Sequence, residues 1–294
     1  MRRIAVIGLG LMGGSIGLAI KKRRLGWEVV GCTRTPARGR QALRRGAVDR
    51  LCASPAEAVK DADLAVFCAP IQTIPQLVRE SLHGLSRGTV LTDVGSTRHF
   101  LDTDIPRLLK GTGAVFVGSH PVAGSEQQGI DAARADLYEG ATVLVTAPSG
   151  APEAAVRRVR GFWRRLGGRV AMVDSREHDR LLARTSHLPH MVASLLALTV
   201  GRMPGREALA GFCGSGFADT SRVAEGSPEV WLDIVRTNRS NLAEELRAYR
   251  AQLDRLLALL DAGDFSGVEH VLEHARSARR ELLAGRKRNR IPST

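Results

Sequence analysis

Two short motifs in this sequence carry residue types at spacings that suit redox chemistry. The first is GLGLMGGS, in which Gly8, Gly10 and Gly13 follow an apolar run typical of a buried strand and precede a helix-compatible segment. Glycines at this spacing allow a tight turn, a close backbone approach to a pyrophosphate and close helix–strand packing, while the helix N-terminus offers N–H groups to the anion. The motif therefore predicts a dinucleotide site that includes Leu11 and Met12.

The second motif, GSHPVAG, contains a candidate base. His120 follows a predicted strand at 114–117, at the carboxyl end where open α/β sheets bind ligands, and Pro121 is expected to fix the turn behind it. Neutral imidazole is a natural acceptor for a hydroxyl proton as hydride leaves the carbon, although a lone histidine is more often structural. Ser96, in DVGST, could reach the same pocket, or it could be the N-cap of the next helix. Together they predict alcohol dehydrogenation.

The residues after the second predicted strand bear on the choice of cofactor. An Asp or Glu there would hold the ribose 2′-hydroxyl of NAD and repel a 2′-phosphate. This chain has Thr33 and Arg34 instead. Arg34 could stack on adenine and pair with the phosphate, with Thr33 as a hydroxyl donor, so the sequence favours NADP over NAD. The alternative is a surface arginine in an Arg-rich protein.

Composition indicates a globular enzyme. The chain has 294 residues, of which 44% are hydrophobic, enough for one large or two ordinary domains. No apolar run approaches the roughly 20 residues of a membrane span, and a strand at the N-terminus is not a targeting peptide. The four cysteines lie far apart without a CxxC pair, which predicts free thiols in a cytoplasmic protein. His187 and His190 lack further ligands at metal-binding spacing, so no metal is expected.

The net charge of +13 narrows the choice of partners. Only five of the 43 basic residues are Lys, which reflects an Arg bias as much as selection for a partner. A basic surface suits a small dianionic substrate and a phosphorylated cofactor. Aromatic residues make up only 4% of the chain and are not interleaved with the basic runs, which argues against a nucleic-acid partner.

The order of predicted elements divides the chain into two parts. In the first part, helix-compatible segments alternate with apolar, β-branched runs at 28–32, 64–69, 89–92, 114–117 and 142–145. This alternation predicts an α/β, Rossmann-type, doubly wound parallel sheet over residues 1–174. Residues 175–294 are predicted to form an all-helical domain. One of its helices has an apolar stripe that needs a partner, formed by Leu242, Leu246, Tyr249, Leu253, Leu256, Leu257 and Leu260.

Taken together, the motifs resemble those of the prephenate and arogenate dehydrogenases of tyrosine biosynthesis. The resemblance covers nearly the whole chain and rests on GLGLMGGS, ADLAVFCAP, DVGST, GSHPVAGSE, HDRLLARTSHLPH and FADTSRVAEGSPEVWLDIVRTN. The last three are more specific than GxGxxG, which many nucleotide-binding proteins share. Similarity to this family implies a Rossmann-type domain, a helical dimerisation domain that makes a homodimer, and hydride transfer from a cyclohexadienol to NAD or NADP with loss of carbon dioxide.

The same resemblance implies roles for individual residues. His120 would be the catalytic hydrogen-bond acceptor with Ser96 beside it, and Arg222 would hold a substrate carboxylate unless it pairs with Glu225 or Glu229. The other implied substrate-pocket residues are Ser125, Glu126 as a gating or salt-bridging acid, His190, Asp219 near the arginine, and Trp231 near the substrate or the dimer contact. Ala69 and Pro70, which end ADLAVFCAP, would contact the cofactor.

Two other interpretations remain at this stage. A β-hydroxyacid dehydrogenase also begins with GLGxMG, but it would need a catalytic lysine, and the chain has none between Lys110 and Lys287. A nicotinamide-binding regulator without catalytic activity would not need to retain His120, Ser96 and Arg222. Prephenate and arogenate differ only in a keto or amino group on the side chain, and the sequence leaves both open.

Overall fold

A six-stranded parallel sheet forms the N-terminal half of the molecule. The computed structural model describes residues 1–123, 127–202 and 210–288. In space the strands run in the order β3-β2-β1-β4-β5-β6. They are β1 (Arg3–Ile7), β2 (Glu28–Cys32), β3 (Arg50–Cys52), β4 (Leu64–Phe67), β5 (Val90–Asp93) and β6 (Val115–Phe116). The order reverses beside β1, where the chain crosses from one side of the sheet to the other, and this confirms the predicted doubly wound α/β fold.

Helices cover both faces of this sheet. They are α1 (Leu11–Lys22), α2 (Pro36–Arg44), α3 (Pro55–Val59), α4 (Ile74–Ser81), α5 (His99–Leu108) and α6 (Glu153–Arg165). Ile4 and Val6 of β1 join one buried apolar cluster, while Ala5 and Ile7 join another on the opposite face. Strands buried on both faces read as continuous apolar runs, which is why the sequence pattern could place them.

A second, smaller sheet carries the candidate base. It contains β7 (Gly118–Val122), β8 (Thr142–Thr146) and β9 (Arg169–Met172), with β7 antiparallel and β9 parallel to β8. His120 lies inside β7, opposite Leu144. The expectation that Pro121 forms a turn was therefore wrong. Pro121 can lie in a strand because β7 is at the edge of its sheet, where a missing N–H donor is tolerated.

The C-terminal half is helical, as predicted. It begins with α7 (Ser175–Leu182), a π-helical turn (Ala183–His187) and α8 (Leu188–Gly201). In the described residues that follow, from 210 to 288, there are four α-helices, at Ser215–Ser221, Pro228–Thr237, Arg239–Asp261 and Phe265–Arg288. Leu242 in the third of these is buried, whereas Leu253 and Leu257 are 47% and 49% exposed. Within the ranges described, no helix combines the length and apolar character needed to cross a membrane.

A buried arginine connects the main sheet to the elements around it. The Arg98 guanidinium donates two hydrogen bonds to the Asp93 carboxylate, at 2.7 and 2.8 Å, and a third to the Ser119 carbonyl at 3.0 Å. The Arg98 backbone N–H donates to Asp179 of α7 at 2.7 Å. Arg98 and Asp93 are both inaccessible to solvent. One residue therefore joins β5, β7 and the start of the helical half.

We expect Arg98→Met to lower the free energy of unfolding by about 3 to 5 kcal/mol, because the Asp93 carboxylate would be left buried without its partner. Urea denaturation measures this cost. The exposed pair Arg107 and Asp104 is the matched control, since the Arg107 side chain is 70% exposed. Arg107→Met should lower the free energy of unfolding by less than about 1 kcal/mol.

The double variant Asp93→Asn with Arg98→Met isolates the interaction itself. It should lose less stability than the sum of the two single variants, by more than about 1 kcal/mol, because the two side chains are in direct contact. If the losses in the free energy of unfolding simply add, the Arg98–Asp93 pair does not stabilise the contact between β5 and β7.

Candidate active site

A single cleft brings together eight of the residues predicted from the sequence. Its volume is about 850 Å³, and we call it the His120 cleft. It lies where the glycine turn of the parallel sheet, strand β7 and the helical half meet. The predicted residues that line it are Gly10, Leu11, Met12, Ser96, His120, His190, Arg222 and Trp231. The cleft therefore joins a nucleotide-type turn to a candidate base and a candidate anion-binding arginine.

The glycine turn has the form that a dinucleotide requires. Gly8 has a φ of +104°, and a Cβ there would lie 2.2 Å from the Cys68 carbonyl oxygen; a Cβ on Gly13 would lie 1.9 Å from the Gly8 carbonyl oxygen. A Cβ on Gly10, in contrast, would meet none of the described atoms within 4 Å. The N-terminus of α1 has neither a side-chain cap nor an acid in its first turn. These residues fit a bound pyrophosphate, for which Gly10 leaves room.

The remaining cofactor candidates follow the neighbouring strands β2 and β4. Thr33 is half-buried and Arg34 exposed, in the turn between β2 and α2. Ala69 and Pro70 follow β4 directly after Cys68, whose carbonyl touches the Gly8 turn. None of these four residues lines the His120 cleft. They lie at the carboxyl edge of the sheet on either side of β1, where an extended dinucleotide would continue.

His120 is buried and poised as a neutral base. Its ring Nδ1 lies 2.9 Å from Nε2 of His178, and the residue is only 8% exposed. Burial lowers the pKa of His120 well below its ordinary value, and the neighbouring His178 and Arg98 lower it further. An imidazole with a lowered pKa remains unprotonated at neutral pH, as a proton acceptor requires.

His178 and Asp179 extend from His120 as a buried chain. His178 Nδ1 lies 2.8 Å from Asp179 Oδ1. The Asp179 carboxylate also accepts the backbone N–H groups of Arg98 and His99, at 2.7 and 3.0 Å, and so caps α5. The alternative role of Ser96 as N-cap is therefore wrong, because Arg98 is the N-cap of α5; Ser96 lines the cleft. The motif HDRLLARTSHLPH contains both chain residues, but sequence reasoning assigned neither a role.

Part of the cleft wall is aromatic. His190 stacks on Trp231 with ring centroids 3.5 Å apart and an interplanar angle of 11°. A Cβ on Gly226 would lie 2.5 Å from Trp231 Nε1, so glycine permits the close approach of the chain here. Burial lowers the pKa of His190, and it lowers that of His187, which lies next to Asn238, to about 4. Within the described ranges, no group of three or more His, Cys, Asp or Glu could hold a metal ion.

Arg222 supplies positive charge at the mouth of the cleft. It is exposed and lines the cavity. The ion pairs formed between described residues do not include Arg222, so the alternative pairing with Glu225 or Glu229 is not observed. Asp219 is exposed on the preceding helix and does not line the cleft. The predicted pocket residues Ser125 and Glu126 lie outside the described residues.

Comparisons with known proteins agree with this geometry. Residues 16–172 match the family model described as prephenate dehydrogenase, nucleotide-binding domain, and residues 174–274 match the model described as prephenate dehydrogenase, dimerization domain. A prephenate dehydrogenase from Lactococcus lactis is 30% identical over 287 residues, which is 96% of this chain and 78% of the relative.

Two solved structures share the whole architecture. Prephenate dehydrogenase from A. aeolicus, in complex with hydroxyphenyl propionate and NAD+, superposes with a TM-score of 0.88 at 27% identity and covers 96% of this chain and 98% of its own. Synechocystis arogenate dehydrogenase has a TM-score of 0.81 at 28% identity, with 95% and 99% of the two chains covered. Since both halves match in sequence order, and the His120 cleft lies where they meet, this chain belongs to the prephenate dehydrogenase family.

Proposed function

We propose that this protein is a cytoplasmic dehydrogenase that oxidises and decarboxylates prephenate to 4-hydroxyphenylpyruvate, with a nicotinamide dinucleotide as hydride acceptor. The observation that carries the proposal is that His120 and Arg222 line one cleft with Gly10. A neutral base, a cation available to bind an anion and a pyrophosphate turn are the groups that oxidation of a small anionic alcohol requires.

The chemistry of the substrate explains why so few catalytic groups are needed. Prephenate carries two carboxylates, and a C4 hydroxyl on a ring with a quaternary C1. Bound nicotinamide would supply the acceptor for the C4 hydride. Oxidation of C4 to a ketone makes the C1 carboxylate a vinylogous β-keto acid, so loss of carbon dioxide needs neither a metal nor a Schiff base. Aromatisation then drives the reaction, and the protein has mainly to position a dianion and remove one proton.

Different side chains of the cleft remove the proton, bind the carboxylate and pack on the ring. His120 accepts the hydroxyl proton, and Ser96, on the same cleft, orients the hydroxyl. Arg222 binds a substrate carboxylate, since its guanidinium is free of partners among the described residues and suits bidentate contact. His190 and Trp231 form the wall that packs on the ring.

The charge of the described part of the cleft, which does not include the predicted pocket acid Glu126, favours prephenate over arogenate. Arogenate carries an ammonium group where prephenate has a ketone. The described residues that line the cleft include no Asp or Glu that could pair with an ammonium group. They also include no lysine, which the β-hydroxyacid dehydrogenase alternative would need as its catalytic group. We therefore expect prephenate to be oxidised with the higher kcat/KM.

Substitutions of the two principal residues should have opposite kinetic signatures. We expect His120→Asn to lower kcat by about 100-fold or more with little change in cofactor affinity, because a positioned base acts in the transition state.

Arg222→Ala should mainly raise the KM for prephenate, by the equivalent of about 2 to 4 kcal/mol if the ion pair is desolvated, because the carboxylate is present in both the ground state and the transition state. Steady-state kinetics separate the two, and an unchanged kcat in His120→Asn would remove that residue from the mechanism.

For the cofactor we propose a preference for NADP. The support is Arg34, which is exposed in the turn after β2, where NAD-specific proteins place an acid. If Arg34 pairs with the 2′-phosphate, Arg34→Asp should reverse the ratio of kcat/KM values for NADP and NAD. Arg107→Asp, at an exposed arginine of α5, is the control and should leave the ratio unchanged. A wild-type protein that already uses NAD far better than NADP would contradict the proposal.

We further propose that residues 175–294 form a domain through which two copies associate. The support is the matched dimerization-domain model together with three apolar residues of Arg239–Asp261 that are about half exposed: Leu253, Leu257 and Leu260, at 47%, 49% and 49%. Leucines four residues apart share one face of a helix, so this stripe would bury continuous apolar surface against a second copy.

Analytical ultracentrifugation tests this association. Wild-type protein should sediment as a dimer, and the double variant Leu253→Glu with Leu257→Glu should sediment as a folded monomer, because charges would replace the apolar contact. Arg255→Glu, on the opposite face of the same helix, should remain dimeric. A double variant that stays dimeric would place the interface elsewhere.

A further inference from the structure

Three buried side chains form a continuous hydrogen-bonded chain behind the cleft. It runs from Asp179 Oδ1 to His178 Nδ1 at 2.8 Å, and from His178 Nε2 to His120 Nδ1 at 2.9 Å. His178 is inaccessible to solvent, Asp179 is 2% exposed and His120 is 8% exposed. The chain therefore leads from the interior to the cleft wall, and its order of donors and acceptors decides which nitrogen of His120 is free.

Asp179 determines which ring nitrogens donate and which accept along this chain. Its carboxylate already accepts two backbone N–H groups at the start of α5, from Arg98 and His99, so it acts here only as an acceptor. His178 must then donate from Nδ1, which leaves a lone pair on its Nε2. His120 must in turn donate from Nδ1, which leaves the lone pair on its own Nε2.

We propose that His178, held by Asp179, is a positioning residue that keeps His120 in the tautomer with a proton on Nδ1 and a free lone pair on Nε2. The inference rests on the proposed function, because it makes Nε2 the atom that removes the substrate's hydroxyl proton. In that step the O–H bond breaks and an Nε2–H bond forms. The C4–H bond breaks as well, its hydride would pass to the bound nicotinamide, and C4–O becomes a carbonyl. The resulting imidazolium still donates its Nδ1–H to His178.

The opposite arrangements are disfavoured on physical grounds. A proton on Nε2 of neutral His178 would leave a lone pair on Nδ1 facing the Asp179 carboxylate, which is repulsive. A doubly protonated His178 could donate to both neighbours and would force the proton of His120 onto Nε2. Burial, however, lowers the pKa of His178, against the opposing effect of Asp179, so the neutral ring prevails at neutral pH.

Neighbouring contacts hold the chain in place. The Asn238 amide donates to the Asp179 backbone carbonyl at 2.7 Å and lies 3.2 Å from Nδ1 of His187. The helix Pro228–Thr237 ends directly before Asn238, so the helical half itself fixes the position of Asp179. A side chain locked in this way can orient the base at no cost during the reaction.

The kinetic test compares two substitutions of similar size at His178. His178→Leu removes the acceptor for the Nδ1–H of His120, and kcat should fall by about 10- to 100-fold while the KM values for substrate and cofactor change less than about 3-fold. His178→Gln places an amide oxygen where Nε2 was, so it should recover at least half of that loss on a logarithmic scale. Thermal unfolding and cofactor binding confirm that both variants are folded. A folded His178→Leu variant with wild-type kcat, or a Gln variant no better than Leu, would overturn the proposal.

A spectroscopic test is independent of activity and of whether either variant folds. Two-bond ¹H–¹⁵N correlation spectra of wild-type protein labelled with ¹⁵N-histidine report the tautomer of each ring, and the signals missing from His120→Asn identify His120. We expect protonated Nδ1 and unprotonated Nε2 at neutral pH. A proton on Nε2 would refute the inference even if the enzyme oxidises prephenate. The expected tautomer in a protein that does not oxidise prephenate would refute only the proposed function.

Discussion

The Asp179 carboxylate is the contact on which the arrangement of this active site depends. Asp179 belongs to the first helix of the C-terminal half, yet it caps α5 of the N-terminal half and holds the His178 ring. The same backbone segment carries Arg98, whose side chain is buried against Asp93 of the central sheet. One acidic side chain thereby fixes the cleft wall that presents Ser96 and orients the ring next to His120. A buried charge is stable in this position because N–H donors reach both of its oxygens.

The cleft combines an exposed charged side chain with buried neutral ones. At the mouth, Arg222 is exposed and unpaired among the described residues, which suits it to attract and hold an anion from water. Inside, burial keeps His120, His178 and His187 neutral by lowering the pKa of each. A neutral imidazole accepts a proton, whereas an imidazolium could not. In the proposed function, the exposed Arg222 thus serves recognition of the anion, while the chemistry depends on histidines shielded from water.

The features that depend on the spacing of nearby residues could be predicted from the sequence. Gly8, Gly10 and Gly13 act within a few residues of one another, and the apolar runs of the parallel strands show directly in the sequence, so the fold and the nucleotide turn could be predicted. His120 was found as a residue, but its place inside β7 was not, because the small sheet pairs segments with no strong alternation. The links between His120 and His178 and between Arg98 and Asp179 span 58 and 81 residues, and no local pattern encodes such contacts. The family resemblance identified the segments that carry the active site, but it did not show which side chains contact one another.

The most direct measurement is the stoichiometry of the reaction with purified protein and prephenate. Our account predicts that one carbon dioxide and one 4-hydroxyphenylpyruvate form for each reduced nicotinamide cofactor, without added metal and with chelator present. Cofactor reduction without release of carbon dioxide, or reduction that occurs with a β-hydroxyacid but not with prephenate, would contradict the assignment of the His120 cleft to oxidative decarboxylation.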